Sequence, residues 1–263
     1  MSRITTAFAK RAANGQSAFI AYMMAGDPDL LASRELLLGL PDAGADIVEL
    51  GMPFSDPVAE GLTIQQAAQR SLSAGTKMAD VLSLASDFRK LHPQTPLILM
   101  GYANPIHFVG WGKFAVAAAK AGVDGMIIVD LPPEESEPLA QALADNDIAL
   151  IRLIAPTTIG DRLPKVLSGV CGFVYYVSVT GVTGDAVPDA ELVANAVHNI
   201  KLHTDLPVAV GFGVRTPQTA KMIAACADGV VVGSAIVAAM HKSGAKAACE
   251  QVKKLADAAH CKA

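Results

Sequence analysis

Eight short apolar runs recur along the chain, and segments with the apolar spacing of amphipathic helices lie between them. Most of these runs consist of consecutive Val, Ile and Leu residues, as in parallel strands that are buried on both faces. The predicted strands cover Ala18–Met24, Asp46–Gly51, Pro96–Gly101, Gly125–Asp130, Ile148–Ala155, Phe173–Ser178, Pro207–Gly211 and Asp228–Gly233. The predicted helices cover Asp29–Ala43, Met78–His92, Trp111–Ala121, Pro133–Asp145, Ile159–Leu167, Asp189–His203 and Pro217–Ala225.

The strict alternation of strands and helices is typical of a parallel sheet with helical crossovers. Eight such units favour closure into a (β/α)8 barrel, the TIM-barrel fold, as a single domain over residues 1–263. A doubly wound open sheet is the alternative arrangement of the same units. The segment Arg3–Asn14 predicts an extra N-terminal helix that covers the bottom of the barrel, and Ser243–Ala259 predicts the closing helix.

Two inserted loops interrupt the alternation, one after strand 2 and one after strand 6. The first covers Met52–Ser73 and contains a further helical stretch at Thr63–Ser71, and the second is the Gly- and Thr-rich segment Val179–Pro188. Active sites of (β/α)8 barrels lie at the carboxyl ends of the strands, on the loops that follow them. Both insertions are therefore predicted to lie beside the active site.

The composition agrees with this fold and excludes several classes of protein. The chain has 263 residues, close to the roughly 250 of a (β/α)8 barrel, and it is 52% hydrophobic and 17% charged, which excludes disorder. A net charge of −4 without a basic block argues against nucleic acid or an anionic membrane as a partner. The apolar runs are too short and too interrupted by glycine to span a bilayer.

Cysteine and histidine residues indicate neither a disulfide framework nor a metal centre. The four cysteines form no CxxC pair, and the six histidines show no ligand spacing, so we expect no structural metal. The first residues contain no apolar signal core. Scattered thiols without an export signal predict a reducing, cytoplasmic location.

Glu49 is the first candidate for chemistry, because it lies within an otherwise apolar strand. A buried carboxylate is costly unless it is paired or used. Side chains alternate along a strand, so Ile47, Glu49 and Gly51 share one face. If the opposite face packs against the helices, Glu49 points to the barrel axis near the active end. The alternative is a structural ion pair with Arg152, the base embedded in strand 5.

The loop after strand 2 offers two further carboxylates, Asp56 and Glu60. Its prolines restrict the backbone and can hold polar side chains over the barrel mouth. The alternative is that Asp56 caps a turn before Pro57 and that Glu60 is solvated.

Glycine-rich turns follow strands 7 and 8, where barrels often bind phosphate with backbone N–H groups and the N-terminus of a short helix. Gly213 lies in the first turn, and Ser234 would begin the short helix and supply a hydroxyl group. Gly184, in the loop after strand 6, could add another N–H group. The alternative is that these glycines only permit tight turns.

Apolar and aromatic residues lie at or near the carboxyl ends of several strands, where they could line a flat pocket for an aromatic substrate. Core packing is the alternative role for each of them. These residues are Tyr22, Met100, Tyr102, Ile127, Leu153, Tyr175 and Phe212.

Several motifs together resemble the tryptophan synthase alpha-subunit family, over essentially the whole chain and in the same order. The most specific is the run from Ala43-Gly44-Ala45-Asp46 through Glu49-Leu50-Gly51-Met52-Pro53-Phe54-Ser55-Asp56-Pro57. The others are Ala25-Gly26-Asp27-Pro28, Asn104-Pro105-Ile106, Asp130-Leu131-Pro132-Pro133-Glu134-Glu135, Tyr175-Tyr176-Val177-Ser178, Thr180-Gly181-Val182-Thr183-Gly184, Gly211-Phe212-Gly213 and Gly233-Ser234-Ala235-Ile236-Val237.

The resemblance implies a barrel that cleaves indole-3-glycerol phosphate into indole and glyceraldehyde 3-phosphate without a metal or cofactor of its own. It also implies an alpha2beta2 heterotetramer, in which a beta subunit with pyridoxal phosphate joins indole to serine. By the same resemblance, Glu49 is the catalytic acid/base and Glu60 occupies the position of a second catalytic carboxylate. The implied phosphate ligands are Gly184, Gly213 and Ser234. The implied substrate pocket consists of Tyr22, Met100, Tyr102, Leu153, Tyr175, Thr183 and Phe212.

The chain departs from the usual pattern of this family beside the second carboxylate. Glu60 stands where an aspartate is usual, and Leu62 stands where a proline is usual; Met24 and Val129 are further departures. A shift of about 1 Å in a catalytic group can cost roughly 100-fold in rate. Two alternatives therefore stay open: a catalytically weak protein that acts as an allosteric partner of a beta subunit, and another phosphate-binding barrel enzyme.

Overall fold

The computed structural model describes residues 1–178, 189–211 and 213–261. Eight parallel strands form a closed barrel in which each strand pairs with its neighbours in sequence order and β8 pairs with β1. This closure confirms the predicted (β/α)8 barrel and excludes the open sheet. The strands β1 to β8 are Ala18–Met24, Ile47–Gly51, Leu97–Gly101, Gly125–Ile128, Ala149–Ile154, Val174–Val177, Val208–Gly211 and Gly229–Val232.

Each of the seven predicted crossover helices is present, with ends that differ from the prediction by a few residues. The helices α1 to α11 of the described ranges are Arg3–Ala13, Leu30–Gly39, Leu62–Ser73, Met78–Leu91, Ala103–Val109, Trp111–Lys120, Glu137–Ala144, Arg162–Leu167, Ala190–Lys201, Pro217–Ala224 and Ser234–His260. None of them combines the length and hydropathy that a membrane span requires.

Two helical predictions were incomplete. The helix α5 was not predicted, and the predicted helix over Pro133–Asp145 is divided into a 3-10 turn at Pro133–Glu135 and α7. Pro138 explains the division, because its ring would collide with the carbonyl group four residues earlier in a continuous helix. Ser136, at the junction, donates a hydrogen bond from its hydroxyl to the carbonyl of Pro133 at 2.9 Å.

Alternate strand residues face the barrel interior, as the period of two requires. In β2, Val48 and Leu50 pack toward the helices, whereas Ile47 packs with residues of the barrel interior. The extra helix α1 closes the amino end of the barrel with Ile4 and Phe8, whose ring centroid lies 5.4 Å from that of Phe173. The predicted N-terminal cover of the barrel bottom is therefore confirmed.

The insertion after β2 is held against the loop that follows β1. Arg70 of α3 forms a bidentate ion pair with Asp27, with N–O distances of 2.7 and 2.8 Å. The hydroxyl of Ser71 donates to the carbonyl of Ala25 at 2.6 Å. These contacts fix α3 beside the barrel mouth, and so they fix the end of the loop that precedes it.

The last helix also divides, at Gly244, where φ is +79°. Glycine adopts this conformation without the Cβ strain that other residues suffer. The part that begins at Ser234 is the predicted short helix after β8, and the part beyond Gly244 is the predicted closing helix.

Candidate active site

Glu49 lies inside the barrel, near the carboxyl end of β2. It is 1% exposed and lies opposite Tyr22 of β1 and Ile98 of β3 in the strand register. Neither of its carboxyl oxygens has a hydrogen-bond partner among the described residues. A buried carboxyl group without partners is costly to the folded state, so Glu49 is not explained by stability.

The alternative of an ion pair between Glu49 and Arg152 is wrong. Arg152 lies on the same face of β5 as Leu150 and Ile154, which belong to the cluster between the strands and the helices. Its Nη2 donates to the hydroxyl of Ser136 at 2.6 Å, on the outside of the barrel. Glu49 and Arg152 therefore occupy opposite sides of the sheet.

Glu60 is buried at the end of the loop after β2, with 8% of its surface exposed, so the solvated alternative is wrong for this residue. The N–H group of Ala59 donates to the hydroxyl of Tyr102 at 3.2 Å, and Gln65 Nε2 donates to the carbonyl of Glu60 at 2.7 Å. Asp56 is exposed and accepts a hydrogen bond from the Ser55 hydroxyl at 2.6 Å. Only Glu60 of the two loop carboxylates is thus buried.

Burial changes the acidity of both glutamates. Loss of solvation raises the pKa of Glu49 to about 8, and the nearby charge of Glu60 adds to that rise. Loss of solvation also raises the pKa of Glu60 to about 7. Between about pH 7 and pH 8, Glu49 therefore mostly retains its proton while Glu60 mostly carries its charge, which gives one proton donor and one carboxylate in a single site.

Two tyrosine rings, Tyr22 of β1 and Tyr175 of β6, each lie over the glycine that ends the next strand. A Cβ atom at Gly51 would lie 2.3 Å from the hydroxyl oxygen of Tyr22, and one at Gly211 would lie 2.2 Å from that of Tyr175. Any larger residue at these two positions would displace the rings. Burial, together with the charges of Glu49 and Glu60, raises the pKa of both tyrosines well above the usual value.

The remaining predicted pocket residues are placed as follows. Met100 and Leu153 belong to the interior cluster with Tyr22, Tyr175 and Ile127. Tyr102 is buried outside that cluster, against the loop after β2, and its ring centroid lies 5.1 Å from that of Phe54. Thr183, Gly184 and Phe212 lie outside the described residues.

Sequence reasoning missed the support of the loop after β2. Tyr102 appeared only as a pocket residue, although its hydroxyl also binds the backbone N–H of Ala59. The sequence pattern gave no role to Gln65, which donates a hydrogen bond to the carbonyl of Glu60. The available signal was its place in the first turn of the predicted helical stretch Thr63–Ser71.

Two of the three predicted phosphate ligands, Gly213 and Ser234, follow the adjacent strands β7 and β8. Gly213 follows β7 with φ at +78°, and Ser234 follows β8 as the first residue of α11. The N–H groups of Ile236 and Val237 both donate to the carbonyl of Gly233, at 2.9 and 3.0 Å. The preceding N–H groups have no acceptor within the helix, as at any helix N-terminus, so they can bind an anion.

These features define a (β/α)8 barrel that carries two buried carboxyl groups with raised pKa values toward the carboxyl ends of its strands and, after β8, a helix whose first N–H groups can bind an anion. In the part of the chain that the structure describes, no group of three or more His, Cys, Asp or Glu residues is arranged to hold a metal ion.

Comparisons with known proteins identify the family. The profile described as tryptophan synthase alpha chain matches residues 8–263. A tryptophan synthase alpha chain from Caulobacter vibrioides strain NA1000 is 55% identical over 235 residues, which cover 89% of this chain and 86% of that relative. The chain therefore belongs to the tryptophan synthase alpha-chain family and is a lyase of tryptophan biosynthesis.

Solved structures agree with this assignment. A chain of the Mycobacterium tuberculosis tryptophan synthase structure in space group F222 has a TM-score of 0.93 at 34% identity, covering 99% of both chains. The tryptophan synthase subunit alpha from Legionella pneumophila strain Paris has a TM-score of 0.91 at 36% identity, covering 98% of both chains.

Proposed function

We propose that this chain cleaves indole-3-glycerol phosphate by a retro-aldol reaction into indole and glyceraldehyde 3-phosphate. The observation that carries the proposal is Glu49, a carboxyl group without a described partner in the interior of the barrel, with its pKa raised to about 8. Such a group is protonated at neutral pH and can act as a general acid.

Glu49 moves the proton at two centres. Its carboxyl group protonates C3 of the indole ring, which places the positive charge on the ring at N1. The resulting carboxylate then takes the proton of the hydroxyl group next to the bond that breaks. The electrons of that bond return to the ring, the hydroxyl oxygen becomes the aldehyde oxygen, and Glu49 is protonated again. Because the cycle returns the proton, no other acid or base is required.

Glu60 supplies the negative charge that the intermediate needs. Its pKa is raised only to about 7, so it is mostly ionised when Glu49 still holds its proton. Its carboxylate would accept a hydrogen bond from the indole N1–H group and stabilise the cation on the ring. This stabilisation is strong because the site is buried and a fixed charge needs no reorganisation.

The rest of the site binds the two ends of the substrate. Tyr22, Met100, Tyr102, Leu153 and Tyr175, with Thr183 and Phe212, would line the indole pocket and exclude water. Gly213 and Ser234, with Gly184, would bind the phosphate through N–H groups and the Ser234 hydroxyl at the start of α11. Binding both ends would align the central bond with Glu49.

We infer that a tryptophan synthase beta subunit takes up the indole, in an alpha2beta2 heterotetramer. Apolar residues on three loops or helices at the carboxyl end support such a partner, because Val58, Phe108 and Ile159 are 75%, 91% and 70% exposed. Asp56, on the same side, is exposed as well. The beta subunit would contribute pyridoxal phosphate and this chain no cofactor. Titration calorimetry with a cognate beta subunit tests the complex, and the absence of binding heat would contradict it.

The location follows from the thiols. Cys171, Cys226, Cys249 and Cys261 are all free. Unpaired cysteines suit a reducing compartment, so we place the reaction in the cytoplasm.

The pH dependence of indole release tests the acid/base pair. We expect kcat/KM to fall as the pH decreases through about 7, because Glu60 becomes protonated, and as the pH increases through about 8, because Glu49 ionises. The profile is therefore a narrow bell whose two limbs belong to the coupled pair. Measurement without and with a beta subunit separates this lyase from a catalytically weak partner. A flat profile between pH 5 and 9 would contradict the assigned roles.

A further inference from the structure

The loop after β2 is exposed along much of its length but ends in a buried carboxyl group. Asp56, Val58 and Ala59 are exposed, whereas Glu60 is 8% exposed. An ionised carboxyl group is less stable in a buried place than in water. A loop that moved freely would therefore turn the Glu60 side chain toward solvent, so contacts with the rest of the barrel must hold this residue in place.

The backbone of Glu60 is hydrogen-bonded on both sides. Its N–H group donates to the carbonyl of Pro57 at 3.2 Å, a bond within the loop that moves with the loop. Its carbonyl accepts a hydrogen bond from Nε2 of Gln65 at 2.7 Å, and this bond joins the loop to the helix α3. The bond between the Ala59 N–H group and the Tyr102 hydroxyl also joins the loop to the barrel, but it is longer, at 3.2 Å, and it holds the preceding residue.

The helix α3 is fastened to the barrel and can serve as an anchor for Gln65. Ile64, Ala67 and Ala68 of its buried face pack with residues of the barrel interior. In its last turn, Arg70 forms the bidentate ion pair with Asp27, whose side chain is only 3% exposed. The N-cap residue, Gly61, has no side chain that could connect the helix to the loop. The amide of Gln65 makes this connection instead.

We propose that Gln65 is a positioning residue, which holds the backbone of Glu60 with its side-chain amide and thereby keeps the Glu60 carboxylate at the barrel mouth. This inference rests on the proposed function, in which that carboxylate accepts the indole N1–H group. Gln65 itself does not touch the substrate and acts only through Glu60. A shift of about 1 Å in a catalytic group can cost roughly 100-fold in rate, so one hydrogen bond at this place affects kcat strongly.

The variant Gln65→Met tests the hydrogen bond, because methionine is unbranched and has a similar helix propensity but cannot donate. We expect the kcat of indole release to fall by about tenfold, while the KM for indole-3-glycerol phosphate stays within about twofold. Gln66→Met is the matched control, since Gln66 is exposed on the same helix, and it should leave kcat within about twofold. An unchanged kcat of Gln65→Met would overturn the proposal.

A double-mutant cycle separates positioning from a general structural role. If Gln65 acts through Glu60, then Gln65→Met should change kcat by at most about twofold in a chain that already carries Glu60→Gln. If Gln65 only supports the fold, the loss should be the same with and without Glu60→Gln. Equal losses in the two backgrounds would therefore overturn the proposal.

An NMR titration tests the same contact without turnover. Carboxyl-13C glutamate labelling would follow Glu60, assigned by the loss of its signal in Glu60→Gln. Burial raises the pKa of Glu60 to about 7, so release of the loop in Gln65→Met should lower this pKa by about one pH unit or more, toward its ordinary value of 4.5. The low-pH limb of kcat/KM should move to lower pH with it. An unchanged or raised pKa of Glu60 in the folded variant would overturn the proposal.

The shift would report exposure of Glu60, because Gln65→Met leaves the titratable neighbours of Glu60 unaltered. The groups whose acidity responds to the charge of Glu60 are Glu49, Tyr22, Tyr102 and Tyr175. Lack of turnover by the unaltered chain would contradict the proposed function, whereas the titration would still decide whether Gln65 holds Glu60 in its buried place.

Discussion

At the amino end of the barrel, aspartates precede β2, β4 and β8, and each accepts a hydrogen bond from a backbone N–H group of the neighbouring strand. For Asp46, Asp124 and Asp228 these N–O distances are all 2.8 Å. Basic side chains bind the same carboxylates, with Arg11 at 2.7 Å from Asp46 and Arg89 at 2.6 Å from Asp124. At the carboxyl end, by contrast, neither oxygen of Glu49 has a partner among the described residues.

The difference between the two ends is visible in acidity. Burial alone would raise the pKa of Asp46, but hydrogen bonds from His260, the Phe19 N–H group and Arg11 lower it below its usual value. Only three residues further along the same strand, burial raises the pKa of Glu49 to about 8. A partnered carboxylate thus precedes β2, and a carboxyl group without a described partner, to which we assign the chemistry, lies within the strand.

The two carboxyl groups should respond to pH in opposite directions. Because the pKa of Asp46 is lowered by folding, its stabilisation is present above its unfolded value and is lost as the pH falls. Because the pKa of Glu49 is raised by folding, stability is greatest below its unfolded value of 4.5 and is lost as the pH rises toward about 8. Protonation of Asp46 at the amino end therefore lowers the unfolding free energy in acid, and ionisation of Glu49 lowers it as the pH rises toward about 8.

The largest effect should come from Glu49→Gln, which keeps the shape of the side chain and removes the carboxyl group to which we assign proton transfer. We expect indole release to fall by about 10³-fold or more, because two proton transfers depend on this carboxyl group. The stability advantage of this variant over the unaltered chain should grow by about 3 kcal/mol between pH 6 and pH 9, because glutamine cannot ionise. Urea unfolding at the two pH values measures the gain. Near-normal turnover would refute the assigned role.

The matching change at the other end is Asp46→Asn. It leaves Arg11 and His260 without their negative partner, at 2.7 and 2.8 Å, and so should cost about 3 kcal/mol of unfolding free energy at pH 7. Turnover per folded molecule should stay within about twofold, because proton transfer does not involve this residue. Both quantities come from urea unfolding and an indole assay on the same samples.

Asp257→Asn is the control for the amino-end change. Asp257 pairs with Lys253 at 3.0 Å, but both side chains are more than 60% exposed. Exposed pairs contribute little, so the unfolding free energy should change by at most about 0.5 kcal/mol. Equal losses from Asp46→Asn and Asp257→Asn would remove the contrast between a partnered buried carboxylate and a surface one.

A smaller effect is expected at the phosphate end of the site. Gly213→Asp places a negative charge where the substrate phosphate would bind, and we expect KM to rise about tenfold beyond any effect of Gly213→Ala. Gly213→Ala is the matched control, because the backbone at φ +78° strains any residue with a Cβ atom. Steady-state kinetics of both variants separates charge from strain. Equal KM values would place the phosphate elsewhere.

The sequence predicted the strands well because buried parallel strands are continuous apolar runs with sharp polar ends. Seven of the eight strands are each one or two residues shorter than predicted, and β1 is unchanged. The period of two grouped Ile47, Glu49 and Gly51 on one face, but it does not say which face of a strand points inward when both faces are apolar, so it did not exclude Arg152 as a partner of Glu49. Local patterns of this kind need no knowledge of distant contacts.

Contacts between distant segments could not be predicted in the same way. The burial of Glu60 depends on Tyr102, which follows the next strand and binds the backbone of the loop. The aspartates of the amino end were also overlooked, although Ala-Gly-Ala-Asp46 and Ala-Gly-Val-Asp124 repeat one pattern before two strands. The role of these aspartates is visible only in the folded barrel, where each accepts a hydrogen bond from an N–H group of the neighbouring strand at 2.8 Å.

The smallest effect concerns how the loop after β2 fits Glu60. Leu62 is the first residue of α3 and is 65% exposed, and Gly61 before it has ψ at 159°, an extended conformation that proline accepts in its predecessor. Proline is favoured at this helix position, so Leu62→Pro alone should add about 0.5 kcal/mol to the unfolding free energy.

The activity of the same positions decides whether the loop has adapted to the longer side chain. Glu60→Asp withdraws the carboxylate by about 1 Å, so we expect kcat to fall by roughly tenfold or more, and Leu62→Pro in that background should restore part of the loss by shifting the loop. Glu60→Gln measures the complete loss of the charge. If Glu60→Asp instead raises kcat, the longer side chain is an imperfect substitute and the loop is not adapted. If all three position-60 forms turn over equally, Glu60 takes no part in the chemistry, and the contrast between the two ends of the barrel depends on Glu49 alone.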